Sequence, residues 1–330
     1  MSDLHGGVCL SGPPFRAEHI GSLLRPKDIL EGKAPDRFIA EAIRWQESLG
    51  LQVVTDGEFR RESWRLGFVR KVEGFVRADA IGDVDLQRDD AGNVARIGAA
   101  PLAAGKVRRK ACVDPAVYPD LEEFFADVVD VYVQELRALH AVGGHYVQID
   151  EVAQPLLCDE NLRVAVRARG DDPDRLIDLY IGLINRIVRR RPAGMTIGVH
   201  MCRGNAMGKW MASGSYERIA ERTFSTLEAD AFFLEYDTER AGGFEPLRFM
   251  PRGKKVILGL VSTKTPLLES KDFLRRRIDQ AALHFPLENL ALSPQCGFAS
   301  HSRGSALSFG QQEAKLRLVI ETAREVWGAA

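Results

Sequence analysis

From residue 145 onward the chain alternates short apolar runs with amphipathic stretches, and the order never breaks. "HYVQIDEV" (145–152) precedes a helical pattern over 172–190, and "MTIGVHMC" (195–202) precedes "YERIAERTFSTL" (216–227). "AFFLEYD" (231–237) leads to a short helix around 244–250, "KKVILGLVST" (254–263) to a helix over 271–284, and "NLALSPQC" (289–296) to one over 308–327. Runs this apolar suit strands covered on both faces, and strands alternating with helices imply βαβ units and a parallel sheet. The upstream third keeps the rhythm. "RAEHIGSLL" (16–24) reads as a first strand with its loop, and "LQVVTDGE" (51–58) as a second strand. Between them "DRFIAEAIRWQESLG" (36–50) reads as a helix in which Phe38, Ile39, Ala42, Ile43 and Leu49 share a face and Gly50 is the stop. Residues 70–115 read as an excursion with a third strand near "RRKACV"; Pro119 then opens a long helix to about Ala141, closed by Gly143 and Gly144. About eight such units favour an α/β chain closed into a (β/α)8 TIM barrel over an open doubly wound sheet, and no glycine-rich dinucleotide fingerprint follows a strand. The expected organisation is a leader over 1–14 and a single barrel domain over 15–330.

Charge and composition narrow the function classes. The 330 residues carry 45 Lys+Arg against 46 Asp+Glu, a net charge of −1, and 45% are hydrophobic. That balance supports a sizeable core and supplies no field for nucleic acid or an anionic membrane surface. Arginines cluster at Arg189, Arg190 and Arg191 and at Arg275, Arg276 and Arg277, where solvated helix faces account for them better than a phosphate site. The cysteines, Cys9, Cys112, Cys158, Cys202 and Cys296, form an odd, scattered set that is no disulfide framework and suits a reducing compartment. "MSDLHGGVCLSGPPF" lacks the basic and apolar regions of a signal peptide, and no window approaches the roughly 18 uncharged apolar residues of a membrane span. A cytoplasmic location is expected, with neither nucleic acid nor membrane as a partner.

Barrel enzymes keep their chemistry at the C-terminal ends of the strands. The unusual residues here fall there: Glu58 on the second run, Asp150 and Glu151 on the fourth, His200 and Cys202 on the fifth, Glu235 and Asp237 on the sixth, Lys264 after the seventh, Cys296 on the eighth. Burying carboxylates and thiolates is costly unless something pairs with them. Strand alternation puts His200 and Cys202 on one face. With Glu235 and Cys296 they offer one nitrogen, two sulfurs and an oxygen, a set compatible with tetrahedral zinc. The carboxylate is the weakest partner and the one an incoming sulfur would displace. Taken singly, a strand cysteine is a small core residue, a histidine a hydrogen-bonded one, and a terminal carboxylate a helix cap. Their coincidence on runs five, six and eight favours zinc. Cys9, Cys112 and Cys158 have no histidine at ligand spacing and read as ordinary residues.

In this order, "HIGSLLRP", "TDGEFRR", "QIDE", "HMC", "FLEYD" and "SPQCGF" resemble the cobalamin-independent methionine synthase family, specifically its catalytic C-terminal barrel, from about residue 15 to 325. The ordered "HMC…E…CG" set is specific, whereas "IGS" alone is weak and 70–115 contribute little. The length resembles the short branch with a single barrel. The resemblance implies a (β/α)8 fold, one catalytic Zn2+ on His200, Cys202, Glu235 and Cys296, and methyl transfer to the thiol of homocysteine. It implies that homocysteine is held by Ile20, Gly21 and Ser22 and by Glu58 and Asp150. Carboxylates suit an ammonium, and the "IGS" amides and hydroxyl suit a carboxylate. Trp64, after "GEFRRES", is expected to wall the donor side. Two departures stand out. Where the family carries a proton-donating histidine in a "D-I-H-S-P" setting, "VSTKTP" places Lys264, which could act as an acid only with a pKa drawn down; His301 is the rival donor. Leu156 stands where the family has a glutamate that contacts the folate pterin, so a folate, a corrinoid protein and a smaller methylated donor all stay open as sources of the methyl group.

The chemistry would follow from the metal, because the thiolate is the nucleophile and zinc binding deprotonates a thiol. Rival readings are zinc-dependent alkylation of another small thiol, for example by an epoxide, a zinc hydrolase, and a non-catalytic barrel with structural zinc. Glu58 and Asp150 favour an amino-acid thiol; a dithiolate set is a weak Lewis acid for hydrolysis; and structural sites draw on close Cys pairs in loops.

Overall fold

Each inward-facing residue near the C-terminal end of a central strand is delivered to the same mouth, because five parallel strands lie side by side in sequence order. The computed structural model describes residues 12–61, 85–88, 94–97, 113, 117–205, 208–299, 305 and 307–330. The large sheet consists of β3 (Tyr146–Asp150), β4 (Thr196–Met201), β5 (Ala231–Glu235), β6 (Lys255–Val261) and β7 (Leu290–Pro294), all parallel and in that order. A separate antiparallel pair, β1 (Asp85–Arg88) and β2 (Val94–Ile97), lies in the expected excursion. The N-terminal segment closes the sheet: Ala17 bridges Leu292 in parallel, Glu18 N–H donates to the Leu292 carbonyl at 2.9 Å, and Leu292 N–H to the Arg16 carbonyl at 2.9 Å. The first segment lying against the last strand is the closure of a TIM barrel.

Five of the helices begin where a short polar side chain satisfies a free N–H group. The helices are α1 (Lys27–Leu30), α2 (Asp36–Leu49), α3 (Leu121–Ala141), α4 (Ala153–Leu156), α5 (Glu160–Arg167), α6 (Pro173–Arg189), α7 (Glu217–Thr226), α8 (Lys271–Ala282) and α9 (Phe309–Trp327). Asp120, Asp159, Asp172, Ser270 and Ser308 are side-chain N-caps, and α9 carries a full Ser308–Gln311 capping box. Helix α2 ends on Gly50 at φ 94°, as its stop signal predicts. In α6, Leu176, Ile177, Ile181, Ile184 and Val188 form one buried stripe against the sheet. The arginine clusters are surface features: Arg189, Arg190 and Arg275 pair with Glu228, Asp130 and Glu325. Among the described residues no helix is long and apolar enough to cross a membrane.

Two layers of core follow from strand alternation. Phe232 and Leu234 pack outward with the helices, whereas Ala231 and Phe233 pack inside the barrel with Ile20, Ile257 and Ala291. Parity then carries Glu235 inward above Phe233, and the same rule aligns Gly198, His200 and Cys202 on the neighbouring strand.

Two expected strands are corrected. Of 16–24 only Ala17 makes a ladder contact, and 51–58 folds as bends and turns. In the latter, Gln46 of α2 takes the place of a neighbouring strand: its Oε1 accepts the Thr55 N–H at 3.0 Å and its Nε2 donates to the Thr55 carbonyl at 2.8 Å. The third strand expected near "RRKACV" lies outside the described residues except for buried Val113. Helices α4 and α5, between β3 and α6, have no counterpart in the sequence reading.

Candidate active site

His200 is the second-last residue of β4, on its inward face, Cys202 follows two residues on, and Cys296 lies just past β7. One ligand atom from each lies within 4.8 Å of the others, and all three residues are buried. His200 Nδ1 is 2.9 Å from Asp150 Oδ1, its direct partner in the parallel register, and Nε2 is 3.3 Å from the Gln295 carbonyl. Burial disfavours an imidazolium, but the Cys202 thiolate beside it and the bond to Asp150 outweigh that and hold the His200 pKa well above its ordinary value. Cys202 is drawn down to about 5, first by a hydrogen bond from Cys296 and then by His200, against its burial. Cys296, as the donor to Cys202, is pushed up. Burial opposes ionisation of Asp150 as well, yet His200 and then Arg61 keep its carboxyl below the usual range. Two soft sulfurs with one imidazole fit a thiophilic divalent ion.

Glu235 shares the inward face but does not join that group. Its Oε1 accepts from Arg240 Nη2 at 2.5 Å and Lys264 Nζ at 3.3 Å, and its Oε2 from the Arg203 N–H at 2.5 Å. Lys264 Nζ also reaches Asp237 Oδ2 at 3.0 Å, and Ser262 Oγ donates to the same oxygen at 2.7 Å. Burial works against a charged Lys264, but Asp237 and Glu235 reverse that and raise its pKa, so it keeps its proton at neutral pH. A lowered pKa, which general-acid work by Lys264 requires, is not what these neighbours produce.

The substrate-binding set expected around "IGS" is assembled from three segments. Gly21, at φ 63°, leaves room for Glu58: a Cβ there would sit 3.1 Å from Glu58 Oε1. Gly297 is closer still to Ser22, since a Cβ would meet its Oγ at 2.0 Å and the Ile20 carbonyl at 2.7 Å. Thr55 Oγ1 donates to the Gly21 carbonyl at 2.6 Å, and Ser22 Oγ accepts from the Ala299 N–H at 3.3 Å. Glu58 itself has φ 57°, the one non-glycine in the left-handed region among the described residues. Strain of this kind concentrates where a side chain must be aimed. Arg61 pairs with Glu58, and the Arg25 guanidinium donates to the backbone carbonyls of Glu58, Arg61 and Ala299. Trp64 and His301 lie outside the described residues. Arg61 and Arg240 were not among the residues expected here. Two acids at one strand end and a third at "TDGE" demand cations, and "TDGEFRR" and "YDTER" contain them.

The barrel gathers a buried histidine and two cysteines at the C-terminal ends of its strands, a group that could hold a metal ion. Residues 30–324 match the family "Cobalamin-independent synthase, Catalytic domain", and the chain belongs to that family, as a methionine-synthase-like thiol S-methyltransferase. It is 37% identical to the uncharacterized protein YxjH of Bacillus subtilis (strain 168), over 95% of each chain. It is 23% identical to a methionine synthase of Pyrococcus abyssi, over 84% of each. Among solved structures, a chain of Listeria monocytogenes assigned as a vitamin-B12 independent methionine synthase superimposes with a TM-score of 0.68 at 28% identity, covering 96% of this chain and 98% of that one. The solved structures it superimposes on are TIM barrels.

Proposed function

We propose that the protein transfers a methyl group from a folate to the sulfur of homocysteine, forming methionine, with Zn2+ held by His200, Cys202 and Cys296. The observation that carries this reading is the convergence of those three soft donors within 4.8 Å at the barrel mouth. Zinc bound there would supply one thing, a substrate sulfur kept as its thiolate at neutral pH. The chain's own residues supply the rest. Asp150 fixes the His200 tautomer by accepting from Nδ1. Glu58, set against Gly21 of the "IGS" segment, and Arg61, paired with it, match the ammonium and carboxylate of an amino acid, which favours homocysteine over an uncharged or sulfonated thiol. In the transfer, a sulfur lone pair forms the new S–CH3 bond while the CH3–N bond of the folate breaks, and the departing nitrogen takes a proton. Lys264 is committed to Asp237 and Glu235, which leaves His301 as the donor in this reading.

A corrinoid donor has no support in a family defined by cobalamin independence. Leu156, where the resemblance places a pterin-contacting glutamate, is packed in the core at 1% exposure, so pterin recognition falls to other residues. A dithiolate ligand set argues against a hydrolase. A cytoplasmic location fits the reduced cysteines this chemistry needs. The test is methionine formation by zinc-loaded protein given homocysteine and either methyltetrahydrofolate or methylcobalamin. Methionine from the folate alone is expected, with zinc and turnover both lost in Cys296→Ser. Undiminished turnover in metal-free wild type would overturn the reading.

A further inference from the structure

Glu58 has a backbone conformation that a glutamate adopts only under constraint, and it is pinned from both sides. At φ 57° the side chain crowds its own main chain, so the surroundings must hold the peptide groups that flank it. The Glu58 N–H is held by Asp56 Oδ1 at 2.7 Å. Its carbonyl is held by Arg25 Nη2 at 3.1 Å, and the same nitrogen donates to the Arg61 carbonyl at 2.8 Å. Arg25 Nη1 reaches the other way, to the Ala299 carbonyl at 3.2 Å in the loop after β7. Ser22 and Leu23 join the same pieces of chain: Phe298 N–H donates to the Ser22 carbonyl at 2.9 Å, and Leu23 N–H to the Gly57 carbonyl at 3.1 Å. A single guanidinium, 7% exposed, thus fastens the "IGS" segment that carries it to the Glu58 turn and to the Ala299 loop. The rigid planar fork of an arginine can bridge two loops at a fixed angle, whereas an ammonium on a flexible stem cannot.

We propose that Arg25 is a positioning residue for the amino-acid thiol: by fixing the strained Glu58 turn against the Ala299 loop, it sets where the Glu58 carboxylate stands and how tightly the site takes the substrate ammonium. The inference rests on the homocysteine reading above and names a residue that reading does not use. The carboxylate has little freedom to spare. Arg61 pairs with it on one side, and on the other only the missing Cβ of Gly21 makes room, since a Cβ there would lie 3.1 Å from Oε1. A turn that drifts by a fraction of an ångström therefore either presses Glu58 on Gly21 or draws it away from Arg61. The consequence is selective. A thiol that carries no ammonium gains nothing from the aim of Glu58, so loss of Arg25 penalises amino-acid thiols alone.

Dissociation constants of homocysteine and of γ-mercaptobutyrate, the same thiol acid without its amino group, test this. They are measured by titration calorimetry on the full-length protein supplied with zinc, in wild type, Arg25→Lys, Arg25→Gln and Glu58→Gln. Both Arg25 variants are expected to bind homocysteine about tenfold more weakly and to keep γ-mercaptobutyrate within about twofold of wild type. Lysine keeps the charge and loses the fork, so a defect in Arg25→Lys assigns the effect to the hydrogen bonds and not to the field. Glu58→Gln should show the same selectivity, and adding Arg25→Lys to it should weaken homocysteine no further, because the carboxylate that Arg25 aims is already gone. A merely structural arginine would weaken both thiols alike. That result overturns the proposal, as does wild-type homocysteine binding in the Arg25 variants, and either variant decides the matter if the other fails to fold. Glu58→Gln that weakens both thiols equally, or neither, would bring down the reading of Glu58 as partner of the ammonium, whereas selectivity lost in Glu58→Gln and kept in the Arg25 variants would overturn only the role of Arg25.

Discussion

The imidazole of His200 can present Nε2 to a metal only if Nδ1 carries the proton, and Asp150 is the group that keeps it there at 2.9 Å. The resemblance assigns Asp150 to the substrate ammonium, and its side chain, 41% exposed, does face solvent from the barrel mouth. In the proposed zinc site, its bond to His200 would add a role through the metal. Partners of this kind change metal affinity by about 10–100-fold when they are lost. Asp150→Asn is therefore expected to weaken zinc binding by at least tenfold while the fold, judged by its thermal midpoint, stays near wild type. If zinc affinity is untouched and only the KM for homocysteine rises, Asp150 serves the substrate alone. That His200 and Cys202 lie together was legible because a His and a Cys two apart on a strand must share a face. Whether Glu235 joins them was not, since that depends on Arg240 and Lys264, and their approach to it is set by how loops after β5 and β6 fold.

Elements were legible in proportion to how local their causes are. Helix α6 shows its Asp172 cap, Pro173 and apolar stripe in the letters themselves, and structure and sequence agree on it to within a residue at each end. Helix α4, four residues with a proline inside it, carries no period long enough to read. The segment 51–58 failed for a different reason: "LQVV" has strand composition, but the groups that would pair with a neighbouring strand are met by the side chain of Gln46. That clamp links α2 to the turn that aims Glu58, because Thr55 also fastens Gly21 at 2.6 Å. Gln46→Met would leave the Thr55 N–H and carbonyl unpaired in a mostly buried place. A loss of roughly 2–3 kcal/mol of stability is expected, measured by chemical denaturation, together with a higher KM for the amino-acid thiol. An unchanged KM would show that the turn holds Glu58 without help from α2.

At the scale of the whole barrel, closure by the N-terminal segment buries Glu18 and His19, and Glu151 is buried just past the end of β3. Glu18 is pushed up to about 8 by burial, and the Phe15 N–H it accepts offsets only part of this; Glu151 is likewise pushed up to about 8 by burial; His19 is drawn down to about 4 by burial. The signs differ. A raised carboxyl pKa means that the folded state holds a proton the unfolded chain releases, so that contribution to stability is complete below about 4.5 and is lost as pH rises to about 8. A lowered histidine pKa acts the other way, costing stability as pH falls from 6.5 toward 4. Above 6.5 His19 no longer contributes, and the two carboxyls each cost about 1.4 kcal/mol per pH unit until they ionise near 8. Unfolding free energy, measured with excess chelator so that metal plays no part, should therefore fall steadily between pH 6.5 and 8. Glu18→Gln, which is neutral in both states, should show about half that slope over the same interval, since Glu151 continues to titrate. The difference between the two proteins should grow with pH and level off once Glu18 ionises in the fold. Parallel profiles would mean that Glu18 enters the folded barrel already charged, with a cation or water meeting the oxygen that has no protein partner.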